Sequence, residues 1–279
     1  MPRLLLAISV ALLLAGSLAA QSDRGPGIRT SMVETYVEPG QFIIYPFYAY
    51  SWDHNYEYQP SMFGIGLDQD FNGTYRTNEA QLFLAYGVAD WLAVELEGSR
   101  IIADFTKDPN DASGTPASLR ESGTADIAGQ IRLRLAPERG RRPEFFAAVE
   151  LLPPQQSGSV LIGDEQWDVK GEIGAARAYR WGTMTFRTTI EYNRGDTHWD
   201  LGETSLEYLK RLSPAWRVLM AIEGGEGGAP DDWTLVSAAR WRVARGIDLK
   251  FVNGLGLFPK STDWEAQIGV LISAGRPGW

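Results

Sequence analysis

The sequence predicts an all-β protein: a single antiparallel, up-and-down transmembrane β-barrel of about twelve strands. Three observations predict it. Residues 1–19 read as an export segment. Apolar residues recur at every second position through most of the chain, and the connections between these stretches alternate between short and long.

The N-terminal segment carries Arg3, an apolar run from Leu4 to Leu14, and small residues at Ser17 and Ala19 that favour cleavage after Ala19. That is the pattern of a secretory signal peptide over residues 1–19, and the run falls short of the ~20 residues a spanning helix needs. Residues 20–40 are expected to form an N-terminal periplasmic segment, and residues 41–279 the barrel.

Composition narrows the chemistry. The chain of 279 residues has no cysteine and two histidines, His54 and His198. Disulfides, Cys-ligated metals and a cysteine nucleophile are therefore excluded, and a multi-His metal centre is disfavoured. The formal net charge is −9, and no basic run exceeds Arg139 to Arg142, so nothing here is suited to nucleic acid. The mean hydropathy of −0.20 is too polar for helical spans, yet the chain holds 10 Trp and 11 Tyr.

Strand elements follow from period-two alternation, which places apolar residues on one face and polar residues on the other. Ile127, Ile131, Leu133 and Leu135 oppose Asp126, Gln130, Arg132 and Arg134. Leu92, Val94 and Leu96 alternate with Glu95 and Glu97, and the same rhythm runs through Met184–Asn193, Trp216–Glu223 and Trp264–Ile272. The segments lie near 41–52, 74–86, 91–102, 123–135, 143–153, 167–180, 183–194, 201–212, 215–224, 233–244, 246–257 and 263–273. Short links at Gly87–Asp90, Trp181–Gly182, Ser213–Pro214 and Arg245 alternate with longer loops rich in Gly, Pro, Asp and Asn. A long loop after the first strand fits an N-terminus on the periplasmic side.

Aromatic residues cluster at strand ends. Tyr86, Trp91, Trp181 and Trp216 fall at short-turn ends, and Trp52, Trp167, Tyr192, Trp233 and Trp264 near long-loop ends. Two membrane-interface girdles have this distribution, because an amphipathic ring favours the headgroup level. A soluble sandwich would bury such rings centrally.

With apolar side chains facing lipid, the other face lines the lumen. The pore-lining candidates are Glu95, Glu97, Asp126, Arg132, Arg134, Glu150, Lys170, Glu172, Arg187, Glu191, Arg217, Glu223, Arg240, Arg242 and Lys250, within a wider inward set that includes Glu79, Asp168, Glu207, Asp248 and Glu265. Charges of both signs can line a hydrated path or pair across the bore and close it.

Two motifs bear on chemistry. Asp68, Asp70, Asn72 and Glu79 match the spacing of a calcium loop, but a strand rather than a helix follows Gly73, so an acidic turn is the default and no metal is expected. His198 lies beside Asp196 and Asp200 without the His-then-Ser-Asn-Gly pattern of outer-membrane phospholipases. No catalytic residue and no cofactor is assigned, and the protein is not expected to be an enzyme.

The stretches Tyr45–Tyr48, Gly66–Phe71 and especially Leu82–Glu95, a strand, a Tyr-Gly turn and a second strand, resemble the hairpins of bacterial outer-membrane barrels of the MetA-pathway phenol-degradation, transporter-like type. The resemblance implies a channel-like protein for small organic or aromatic compounds, with no catalytic residues to carry over. Trp279 supplies a terminal aromatic of the kind barrel-assembly signals use, although Gly275–Gly278 interrupts the strand before it.

These features predict an exported, monomeric barrel in the cell outer membrane. Its expected partners are outer-membrane lipid, the barrel-assembly machinery and small solutes that pass passively, without nucleic acid. The alternative is a closed structural barrel whose loops at 53–73 and 103–122 bind a partner.

Overall fold

A computed structural model describes residues 25–32, 35–67, 69–155, 159–162, 166–193, 198–225 and 232–275. The side chains of Asp126, Asn193 and His198 lie outside the described set, as do Asp68, the export segment 1–19 and Trp279.

Two short strands, β1 (Ile28–Arg29) and β2 (Tyr36–Val37), pair as a small hairpin. Twelve longer strands follow. They are β3 (Phe42–Tyr58), β4 (Phe71–Ala89), β5 (Leu92–Lys107), β6 (Ser118–Ala136), β7 (Glu144–Leu152) and β8 (Asp168–Tyr179), then β9 (Gly182–Asn193), β10 (His198–Arg211), β11 (Trp216–Gly224), β12 (Trp233–Ala244), β13 (Ile247–Gly256) and β14 (Trp264–Ala274). Each pairs antiparallel with the next, and β14 pairs with β3 to close the barrel. No described residue is in an α-helix; a single 3₁₀ turn, Pro60–Phe63, lies in the loop after β3.

Each predicted strand is present, and the main difference is height. β7–β14 run 9 to 14 residues, close to the ~9–11 that a tilted strand needs to cross a bilayer. β3–β6 run 16 to 19 residues and rise well past that height at the long-loop end. Alternation does not reveal these extensions, because above Trp52 the outer face is no longer apolar and carries pairings such as exposed Asp104 with Arg120, 3.4 Å apart.

The outer face is a continuous apolar belt. Leu96, Ile131, Val149, Ile173, Ile190, Leu206, Ile222, Phe251 and Ile268 are all exposed, Ile173 to 63%. So much exposed aliphatic surface on neighbouring strands suits hydrocarbon rather than water. Trp52, Tyr86, Trp91, Trp167, Trp181, Trp216 and Trp264 are exposed as well. At the short-turn end Trp181 stacks on Tyr179 at 4.8 Å and Trp216 on Trp241 at 5.7 Å; at the other end Tyr192 meets Trp199 at 5.0 Å.

Inside, the apolar core sits at the short-turn end. Ile28 and Val37 of the small hairpin pack among Ile43, Tyr45, Phe47, Phe83, Ala85, Ala93 and Leu271 of the wall. Residues 25–32 and 35–40, within the 20–40 segment expected on the periplasmic side, thus fold back into the bore at that end. The approach needs a bare backbone at Gly87: Gly40 donates to its carbonyl at 2.8 Å, and a Cβ there would stand 2.0 Å from the Glu38 oxygen.

Closure has a similar requirement. Gly269 on β14 faces Phe47 on β3, and the stacked rings of Tyr45 and Phe47, 4.7 Å apart, lie against it. A Cβ on Gly269 would meet both side chains at 2.5 Å. Gly269→Val is therefore expected to cost about 1–3 kcal/mol by overpacking the seam, read as a lower denaturant midpoint of the detergent-solubilised barrel. An unchanged midpoint would show that the seam has room to spare.

Candidate functional site

The bore is the site, and its floor is built by the N-terminal hairpin. Arg29 enters from β1 and forms a buried ion pair with Glu207 of β10. Its carbonyl accepts a hydrogen bond from Arg132 Nε of β6 at 2.8 Å. Arg134 donates to the Gly27 carbonyl, and the Ser31 amide donates to Glu95 of β5 at 3.0 Å. Both Arg29 and Arg132 lie over the Phe146 ring at 5.7 Å. A short stretch of chain thus ties together walls on opposite sides of the barrel.

Above this crossbar the charges form a network. Arg187 of β9 reaches Glu172 at 3.6 Å, Glu207 at 3.3 Å and Glu223 at 3.5 Å, and also pairs with Glu203. Arg132 pairs with Glu172, lies 3.9 Å from Glu95, and donates to Gln130 at 2.5 Å. Gln130 in turn donates to Glu150 at 2.6 Å. Arg134 meets Glu144 at 2.7 Å and Lys170 meets Glu191 at 3.3 Å. Groups this deeply desolvated are tolerable only when each finds opposite charge and hydrogen bonds.

Among the pore-lining candidates, Glu95, Arg132, Arg134, Glu150, Lys170, Glu172, Arg187, Glu191 and Glu223 belong to this network. Glu97 lies beside it, lining a small space with Ser31 and Gln130. Arg217, Arg240, Arg242 and Lys250 stand apart on β11–β13, where Arg242 and Arg240 approach Asp248 at 3.4 and 3.9 Å. Sequence reasoning missed Arg29, Glu144 and Glu203. Glu203 shares the alternation of Ser205 and Glu207 and was legible by that rule, whereas Arg29 lies in a segment with no strand pattern.

The long-loop half of the bore has a different lining. Tyr56 stacks on Tyr75 at 4.8 Å, and Tyr58 meets Phe105 edge-on at 4.8 Å while donating to Asp111 at 2.6 Å. In the loop after β7, residues 159–162 turn inward, and Ile162 packs on Ile101, Ala103 and Ala125. Glu121 holds it by accepting from the Val160 and Leu161 amides at 3.1 and 2.8 Å, and the Tyr75 hydroxyl donates to the Leu161 carbonyl at 2.8 Å.

The calcium-loop spacing does not assemble. Asn72 and Glu79 lie on one extended strand, so about seven residues at ~3.3 Å each separate them by roughly 23 Å, while Asp70 accepts from Gln59 at 2.8 Å. Asp53, His54 and Asp263 instead gather at the rim, with ligand atoms within 4.8 Å of one another, a grouping that pairs β3 with a loop some two hundred positions away and was invisible in sequence. Their polar atoms are engaged: Asp53 accepts from the Asn55 amide at 2.8 Å, and the His54 ring bonds Asp263.

Two predictions follow from these contacts. Arg132→Met leaves Glu95 without its cation and Glu172 without the nearer of its two, and is expected to cost about 3–5 kcal/mol, seen in the unfolding midpoint; in the Ser31→Cys background, whose thiol is the only one, it should also speed maleimide labelling at that position. At the rim, the hydrogen bond to Asp263 and then its charge hold the His54 pKa above its ordinary 6.5. The folded state binds that proton more tightly, so the contact is fully present below about pH 6.5 and is lost as pH rises through the raised value. With His198 replaced by Asn, NMR titration of the remaining imidazole should show this, and Asp263→Asn should return it to the ordinary value.

No family model matches the chain, and no curated protein matches it. Solved structures do. The chain is similar to the COG4313 outer membrane channel from Pseudomonas putida F1, with a TM-score of 0.63 and 15% identity over 88% of this chain and 100% of that one. The translocator domain of the autotransporter NalP from Neisseria meningitidis aligns at 0.42, with 12% identity over 97% and 94% of the two chains. A TodX deltaS2S3 mutant monoaromatic hydrocarbon channel aligns at 0.40, with 8% identity over 86% and 91%. The first of these likenesses is one of fold: a closed, twelve-stranded, up-and-down barrel of the outer-membrane kind.

Proposed function

We propose that this protein is an outer-membrane channel that passes small solutes passively through a bore narrowed by its own N-terminal segment. The observation that carries the reading is the cavity left beside that segment. It measures about 600 Å³ and reaches from the interior residues Ile43 and Leu271 to Arg245 and Gly246 in the short turn at the rim. A barrel of twelve strands is wider than the side-chain-filled eight-stranded type, so such space is retained even with a hairpin inside.

In this reading residues 1–19 direct export, the barrel-assembly machinery inserts the chain, and it works as a monomer in outer-membrane lipid without enzymatic activity. Residues 20–40 are the periplasmic segment, and its described part enters the bore from that side. The aromatic lining of the long-loop half, Tyr56, Tyr58, Tyr75 and Phe105, suits small organic or aromatic compounds, in keeping with the transporter-like resemblance of the hairpins. The name of the Pseudomonas putida protein, an outer membrane channel, supports the same role.

A closed barrel is the second reading, favoured by Arg29, which the hairpin carries into the bore to pair with Glu207 of β10 while its carbonyl meets Arg132 of β6. Planar-bilayer recording separates the two. The wild-type barrel should show a small conductance, and a variant lacking residues 25–40 should conduct severalfold more. Folded barrels that remain silent in both forms would exclude passive passage and leave the closed reading.

A further inference from the structure

The bore's cations are not spread evenly. Arg211 of β10 lies directly opposite Arg217 of β11, Arg217 opposite Arg240 of β12, and Arg240 opposite Lys250 of β13. All four occupy the inward-facing set of their strands, and Arg217, Arg240 and Lys250 are 6%, 7% and 2% exposed. Like charges placed directly across a ladder destabilise it. A row of them over four neighbouring strands is an arrangement that fold stability alone disfavours.

The middle two of the row, Arg217 and Arg240, line the 600 Å³ cavity. The described lining carries four arginines, Arg217, Arg240, Arg242 and Arg245, against two carboxylates, Asp248 and Glu38. The glutamates around Arg187 lie higher in the barrel: on β10, Glu207 is four positions from Arg211, about 13 Å along the strand. The lining also holds the apolar surface of Tyr36, Ile43 and Leu271, beside the uncharged polar Thr35, Gln41 and Ser273. Its volume falls in the range of small-molecule sites.

We infer that this cavity binds a small organic carboxylate, its anionic end held by the guanidinium groups and its apolar body against Tyr36, Ile43 and Leu271. Guanidinium forks match the two oxygens of a carboxylate, and the three apolar side chains distinguish an organic acid from a bare inorganic anion. The assignment names the solute class of the proposed channel and rests on that reading, while binding itself is measurable without flux.

The test uses the full-length barrel in detergent, with benzoate as probe, benzyl alcohol as its neutral counterpart and inorganic phosphate as an anion without an apolar body. Isothermal titration should show benzoate binding that weakens with added salt, with benzyl alcohol and phosphate each weaker. Arg240→Gln with Arg242→Gln should reduce benzoate affinity about tenfold or more. Arg245→Gln, in the exposed turn, provides a milder variant whose folding is not at stake and should weaken benzoate in the same direction. Benzyl alcohol or phosphate matching benzoate, or arginine variants that fold and bind like wild type, would overturn the assignment. Bilayer recording on the same preparation keeps the readings separate: binding without conductance would sink the channel and leave the site, and conductance without binding would do the reverse.

Discussion

In hydrocarbon an unpaired amide or carbonyl has nothing to bond with, so the pairing of β14 with β3 is the contact on which everything else depends. It removes the last free edges of the sheet. It also dictates chemistry on both sides of the wall, since a strand crossing lipid must turn one row of side chains outward and the other inward. The exposed aliphatic belt and the charged bore are two results of that single closure. At the seam the rings of Tyr45 and Phe47 require a residue without a side chain opposite, and Gly269 provides it.

Once the charges are turned inward they must be accommodated, and the barrel does this in two ways. On β5–β10 they neutralise one another around Arg132 and Arg187, with Arg29 of the N-terminal hairpin completing the set. On β10–β13 they are aligned with like charge facing like charge, next to open space. The first pattern stiffens the bore and fixes the hairpin. The second sets four arginines against two carboxylates around a recess, and an anion in a site of low dielectric gains more from cations than it would in water. The two halves of the bore also differ along the axis, from a charged short-turn half to an aromatic long-loop half.

Much of this was legible in the sequence. Period-two alternation located the twelve strands, and Trp and Tyr at their ends marked both rims, because each of these patterns is set by neighbours a few residues apart. The same parity rule turned Glu95, Arg132, Arg187 and Arg240 inward. It stopped working where its cause stopped: above Trp52 no lipid demands an apolar face, so the upper strands of β3–β6 left no signal. The spacing Asp68–Glu79 was set aside because a strand follows Gly73, and Asn72 and Glu79 do lie apart along one extended strand.

By itself, then, the sequence determined the fold class, the strand count and which side chains face inward, all consequences of local alternation under the demands of a bilayer. Whether those inward charges leave a path or cancel was decided only by the tertiary structure. Arg29 meets Glu207 across 178 positions, and Arg211, Arg217, Arg240 and Lys250 come into line only through the register of four strands. Register and infolding set distances between residues far apart in the chain, and no local pattern encodes those distances.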